Sequence, residues 1–497
     1  MWIISSPVGC SRTVACVSFA PMRTNRRSLP TALLLGCALV VGLALPAAAA
    51  PGDVLWSKTY NGDGLNEYGN HTAVSRDGTL TFVGGSAQRV SGTQEDMLVI
   101  AYEAATGIQK WVRRIAAPGD FSARVYGIVA SPTADLLFVT GPSGSATTNN
   151  DWLTLALSTT TGATVWSRTF GGPDLLDDVA YAINVGPSGG QVYVTGDQQF
   201  GSGGSGIRTI AYKAATGATV WSRLLGNAGS YGFSTAVAVA PSGSRVFVGG
   251  QYLPDTATDP RAMVTAYAAG DGTPLWTRRV AAAPELPPGT NPNDRFEAVG
   301  VSPDGATVYG AGTALTSSST STSLAAAFNA TTGAPVWVQR FNPPTAGQSQ
   351  FGSLSVGPGG ARVVVVGFEE TAINGDNWVV RSLNTSDGTA AWTRTKDGTA
   401  HGSDSAKSVV TRPDGSRVYV TGSVAGTGTG RDMYTVAYSP SDGAPVWSNS
   451  YNGAANLDDF GSDIAVAPAG GRVFVTGTQR TSLIFSPRIV ITRAFGA

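Results

Sequence analysis

The stretch "AYKAATGATVWSRLL" (211–225) restates "ALSTTTGATVWSRTF" (156–170) almost residue for residue, 55 positions further along the chain. Each copy reads as a strand, a Thr-Gly hairpin turn and a second short strand ending in tryptophan. Following that tryptophan in both directions gives Trp56, Trp111, Trp166, Trp221, Trp276, Trp337, Trp392 and Trp447. The intervals are 55, 55, 55, 55, 61, 55 and 55 residues, and the long one carries the Pro-rich insertion "APELPPGTNPND" (283–294). A period of this size, kept in phase across an insertion, is the signature of a tandem-repeat architecture.

Each unit reads as four strands. The first is short and made of small residues, as in "TAVAVAP" (235–241) and "DIAVAP" (463–468). A Pro/Gly turn such as "PSGS" (241–244) or "PDGS" (413–416) leads to a β-branched and aromatic second strand, "RVFVGG" (245–250) or "RVYVTG" (417–422). A third strand such as "DMYTVAY" (432–438) precedes the hairpin turn and the fourth strand with its tryptophan. No segment keeps a 3.6-residue period over helix length. Tandem four-stranded antiparallel units predict an all-β fold, a β-propeller. The tryptophans are expected to form a structural girdle between blades, each burying on the order of 150–250 Å².

The count of blades follows from the two ends of the repeat region. "GDVLWSKTY" (52–60) is a fourth strand without the first three, while "DIAVAPAGGRVFVTG" and "SPRIVITRAF" are three strands without a fourth. Joined, they make one blade and leave no exposed sheet edge at the seam, so the expectation is eight blades in a closed ring spanning residues 50–497.

Composition narrows the setting. The chain of 497 residues has zero formal net charge and 13% charged residues, so neither a nucleic-acid partner nor a solvating acidic tail is indicated. Residues 1–49 read as a leader: Arg23, Arg26 and Arg27 precede the apolar "LPTALLLGCALVVGLALP" (29–46), and "AAAA" (47–50) offers a signal-peptidase site with cleavage after Ala49. Residues 1–21 fit no export signal, which makes Met22 an alternative start. "LLGC" (34–37) has a faint likeness to a lipobox, but the apolar run continues past Cys37, against a lipid anchor. All three cysteines (Cys10, Cys16, Cys37) lie in the leader, so disulfides and thiolate chemistry are not expected after it. Nothing beyond residue 50 is apolar for long enough to span a bilayer as a helix. A secreted bacterial protein is expected, and a monomer.

The windows "AYEAATGIQKW" (101–111), "AYKAATGATVW" (211–221) and "AFNATTGAPVW" (327–337) resemble the tryptophan-docking motif of quinoprotein alcohol dehydrogenases, themselves eight-bladed propellers. The windows ending at Trp166, Trp276, Trp392 and Trp447 match more loosely, yet all seven keep the glycine four residues before the tryptophan. "RPDGSRVYVTG" (412–422) is also similar to the YVTN-type and SBBP-type repeats of secreted propellers. The resemblance spans the sequence after the leader and implies the fold. It also implies a cofactor, pyrroloquinoline quinone (PQQ) with calcium, but the adjacent-cysteine disulfide, the tryptophan beneath the quinone and a haem attachment site find no counterparts. No cofactor is assigned.

Candidate chemistry is sparse. His71 and His401 read as loop residues ahead of first strands, too few for a histidine-rich metal site. Glu67, Asp178, Asp294, Asp404 and Asp459 occupy one repeat position, five residues before the first strand's leading residue. Acids on an axial rim could hold a cation or a cationic ligand, or supply a carboxylate pair for hydrolysis. The alternative is that each caps its own loop through backbone N–H groups. No catalytic residue is assigned and the metal question stays open. The leading expectation is a non-catalytic binding or scaffold module for an extracellular protein, carbohydrate or small ligand. The rival is a quinone-dependent dehydrogenase or a hydrolase using the rim acids.

Overall fold

A computed structural model describes residues 50–497 except 91, 119–120, 146–148, 202, 256, 258–259, 281–293, 318–319, 373–374 and 484–486. Residues 1–49, expected to be a leader, and nearly all of the Pro-rich insertion, with the expectations attached to them, lie outside the described residues. The chain divides into two units, Met1–Ala48 and Ala49–Ala497, and every described strand belongs to the second.

Thirty-two strands form eight antiparallel sheets of four, with no helix among the described residues. Seven blades are contiguous, at 67–115, 127–170, 178–225, 231–279, 295–341, 349–396 and 405–451. Blade eight takes its first three strands from Asp459–Val466, Arg472–Arg480 and Arg488–Gly496, and its fourth from Val54–Tyr60. The opening strand pairs with the last one, Trp56 opposite Ala494 and Tyr60 opposite Val490. The eight-bladed β-propeller expected from the sequence is therefore the observed fold, closed by a strand from the opposite end of the repeat region.

The apolar cores lie between sheets. Each of the eight clusters of buried side chains draws on two neighbouring blades; one, for instance, joins Phe247 and Trp276 of blade four to Phe296 and Phe328 of blade five. A sheet with two apolar faces is buried only when it has a neighbour on each side, which is the physical reason the repeat must close.

The tryptophans weld these interfaces in a common way. Trp221 lies between Tyr193 of its own blade and Tyr267 of the next, with centroids 5.9 and 5.8 Å away. Its Nε1–H donates to the Ala269 carbonyl at 2.8 Å. Its ring covers Gly272, where a Cβ would stand 2.5 Å from Cδ2 and where φ is +71°. Glycine is required there twice over, for the left-handed turn and for the close approach. Two residues after the tryptophan, Arg223 donates Nε–H to the Gly272 carbonyl at 2.8 Å, and Arg168 and Arg394 do the same to Gly217 and Gly443. Seven indoles make the hydrogen bond to the next blade's turn, at 2.8–3.2 Å.

The eighth interface is built on a turn made from two distant segments of the chain. Gly52, four residues before Trp56, has φ +87° and meets the Trp447 ring. Its N–H donates to Gly496 O at 2.8 Å, and Gly496 N–H donates to Asp53 O at 3.0 Å. In blade one the same two bonds run from Gly107 to Glu103 and from Glu103 to Ile108. The seam thus rebuilds a docking turn from two chain segments. Of the eight docking indoles, Trp447 is the one whose Nε1–H has no acceptor among the described residues.

Candidate axial binding site

The innermost strands all carry a β-bulge at one place. Their registers skip a residue at Asn70, Tyr181, Thr235, Glu297, Gly352, Lys407 and Ser462. In blade two, four steps from Ala123 to Gly127 face three from Ser143 to Thr140, and alignment with the Tyr181 bulge 55 residues on assigns the extra residue to Tyr126. A bulge re-aims side chains that would otherwise alternate strictly between faces. Five of the eight bulge residues (Tyr126, Tyr181, Thr235, Glu297 and Gly352) line one cavity of about 640 Å³ at the axis. Phe233, Arg295 and Gln350 from the same strands, with His71 from the innermost strand of blade one, complete its wall.

The wall has two characters. Across blades two to four runs an aromatic arc. Tyr126 stacks on Tyr181 with centroids 5.8 Å apart and planes at 16°, and Tyr181 meets Phe233 edge-on at 4.6 Å. Across blades five and six runs a polar arc, in which Arg295 pairs with Glu297 and Gln350 Nε2–H donates to Glu297 Oε1 at 2.8 Å. Thr235 Oγ–H, between the two arcs, donates to the Phe296 carbonyl at 2.5 Å.

The axis is stitched rather than open at blades seven, eight and one. Asp463 of blade eight accepts Ser408 Oγ–H from blade seven at 2.6 Å and Thr72 N–H from blade one at 2.8 Å. Beside it, burial pushes the His71 imidazole below its ordinary pKa, with the Asp463 charge opposing, and burial raises Asp463 in turn. His71 therefore belongs to the innermost strand Glu67–Val74 and faces the cavity, a correction to the loop position expected for it. His401 is in a loop, at φ +51°, and its Nδ1 is 2.6 Å from Asp397 Oδ2.

The five acids stand at or just before the starts of first strands, one per blade, and are at most 1% exposed. Their oxygens go to loop N–H groups in a repeated geometry. Gly172, Gly398 and Gly453 donate to the acid six residues later, at Asp178, Asp404 and Asp459. Gln199, Ala425 and Leu315 donate to the acid 21 residues earlier, at Asp178, Asp404 and Asp294. Asp294 also pairs with Arg261 of the preceding blade, and Glu67 Oε1 accepts Asp63 N–H. Asp178 and Asp404 thereby tie the incoming loop of their blade to the hairpin beside it, Glu67 and Asp459 each hold the loop through one oxygen, and none of the five lines the axial cavity. Burial raises all five above the ordinary carboxylate range, Asp459 to about 6.

One acid outside that register stands out. Asp197, in the second strand of blade three, is pushed up to about 7 by burial, with Val179 N–H donating to its Oδ1 at 3.1 Å. It lines a smaller cavity of about 290 Å³ that shares Phe233 with the axial one. Corresponding positions hold Ser86, Gln251, Thr313, Phe368, Ser423 and Thr478, so this carboxyl breaks the repeat.

A calcium-held quinone finds no fitting donors here. Among the described residues no group of three or more His, Asp, Glu or Cys side chains could hold a metal ion. The one acid in the axial wall, Glu297, is already committed to Arg295 and Gln350.

The fold has counterparts among known proteins. The family model described as outer membrane protein assembly factor BamB matches residues 95–286 and 260–488, together about four fifths of the chain. The chain belongs to that family. No curated protein matches it significantly. Among solved structures, Sqt1 from Chaetomium thermophilum bound to the N-terminus of ribosomal protein L10 has a TM-score of 0.56 at 11% identity, over 90% of this chain and 100% of that one. The quinohemoprotein alcohol dehydrogenase of Comamonas testosteroni has 0.54 at 13% identity, over 89% and 76%. The Dos1 propeller has 0.57 at 8% identity, over 89% and 95%. At these identities the likeness is one of fold alone. No helix of the described residues is long and apolar enough to cross a membrane.

Proposed function

We propose that the protein is an exported, non-catalytic binding module that takes its ligand or partner at the propeller axis. One observation carries this reading: the blades repeat where they pack on each other and diverge where they meet the axis. Docking tryptophans and turn glycines recur in every blade, whereas the eight bulge positions hold Asn, Tyr, Tyr, Thr, Glu, Gly, Lys and Ser. Packing alone would let these positions repeat as the rest of the blade does; recognition of one occupant calls for a particular side chain at each point. Two relatives in fold support a binding role by analogy, since one is described as an assembly factor and the other was solved on a peptide segment of its partner.

The test is comparative. The wild type and a Tyr126→Ser, Tyr181→Ser, Glu297→Ser variant are purified from the culture medium and matched by circular dichroism. A co-purifying ligand or protein, identified by mass spectrometry, is expected on the wild type and depleted on the variant. Equal recovery on both would place the binding surface elsewhere.

A further inference from the structure

Resting on the axial reading above, we infer that the occupant of the cavity is a neutral saccharide that stacks on the Tyr126–Tyr181–Phe233 arc and hydrogen-bonds to the Arg295–Glu297–Gln350 cluster. The cavity volume, about 640 Å³, is within the usual range of small-molecule sites.

The charge of the wall argues against an ionic ligand. Arg295 and Glu297 neutralise each other, and His71 is held toward its neutral form by burial. A ligand with net charge would enter without a counter-charge and lose its hydration. A purely apolar ligand fails for the opposite reason. It would strip water from Arg295, Glu297, Gln350 and His71 and return no hydrogen bonds, which is the expensive way to bury polar groups.

A sugar ring meets both halves of the wall. Its C–H faces suit the apolar surface of the arc, which spans three adjacent blades and is preset by the Tyr126–Tyr181 stack and the Tyr181–Phe233 edge contact. Its hydroxyls both donate and accept, so they can bond the donors and acceptors that the network leaves over. Glu297 retains acceptor capacity beyond its bonds to Arg295 and Gln350, and the planar guanidinium of Arg295 has donors to spare.

The experiment uses the purified chain on an array of immobilised neutral oligosaccharides covering hexose, deoxyhexose and N-acetylhexosamine units. Calorimetry on the strongest binder comes next, with Tyr181→Phe, Tyr181→Ala and Glu297→Gln variants whose melting curves are recorded alongside. The expected result is binding that Tyr181→Phe preserves and that Tyr181→Ala and Glu297→Gln each weaken about tenfold or more. Binding indifferent to both of the latter variants would overturn the inference. So would a silent array; a photocrosslinker at Gly352 that still captured an occupant in a Tyr181-dependent way would then leave the axial reading standing. Silence in both assays would remove the two together.

Discussion

Replacing the docking tryptophans by phenylalanine, one blade at a time, separates the two parts of the weld. At Trp221 the exchange keeps a ring over Gly272 but deletes the bond to the Ala269 carbonyl, 2.8 Å away and buried. The carbonyl then keeps only the longer bond from the Tyr193 hydroxyl, at 3.4 Å, and losing the short bond to a buried acceptor costs about 1–3 kcal/mol. The smaller ring forfeits part of the indole's contact, on the order of 1 kcal/mol. The sum for Trp221→Phe is therefore about 2–4 kcal/mol. Trp447 is the control supplied by the molecule, because its Nε1–H has no acceptor among the described residues. Trp447→Phe should show only the packing part, about 1 kcal/mol. Guanidinium denaturation followed by far-UV circular dichroism reads both as midpoint shifts, provided the slopes of the two variants agree. Equal shifts at the two positions would sink this partition, since the carbonyl bond would then contribute nothing. A larger shift at Trp447 would mean that the seam is the weakest interface for reasons other than this bond.

Other outcomes rest on the same geometry. Gly272→Ala places a Cβ 2.5 Å from the Trp221 ring in a φ +71° turn, and a loss of roughly 2–4 kcal/mol is expected by chemical denaturation. A disulfide between Thr59→Cys and Ile491→Cys, partners across the seam, should form readily in a chain with no cysteine after Cys37 and raise the stability by about 2–5 kcal/mol; no gain on oxidation would contradict the seam. For Asp197 the folded pKa, about 7, lies above the unfolded value, so the native state binds the proton more tightly and stability falls as pH rises from about 4 to 7. Asp197→Asn keeps an acceptor for Val179 N–H, so it should exceed the wild type in stability at pH 8 by roughly 2–4 kcal/mol and lose that advantage at pH 4. Adding pyrroloquinoline quinone with calcium should leave the melting temperature unchanged and give no dye reduction; a rise in either would revive the dehydrogenase reading.

The sequence carries the fold in unusually plain form, because one aromatic residue and one glycine do the same job in every blade and so keep a strict phase. Closure was legible for the same reason, as four strands minus three leaves one. The axial wall was not legible. Reading first strands from alternation starts them at residues such as Thr235 and Asp463, four residues after Tyr231 and Asp459, where the structure begins them. The bulge is the cause. An extra residue breaks the period of two, so Tyr181, Phe233 and His71 fall in what looks like loop. Repeat alignment did find the acid register, three residues ahead of each bulge, but alignment cannot tell which way a carboxylate turns. The eighth docking glycine, Gly52, was visible at its fixed distance from Trp56, and its meaning depended on knowing that Trp447 reaches it across the seam.

Whether the axis rather than the perimeter does the binding is met head-on by photocrosslinking. p-Benzoylphenylalanine at Gly352, in the axial wall, is compared with the same residue at Val165, an exposed position on an outermost strand. Axial binding predicts adducts from position 352 that vanish with Tyr181→Ala, and none from position 165. Adducts from 165 alone, or from 352 regardless of Tyr181, would contradict it.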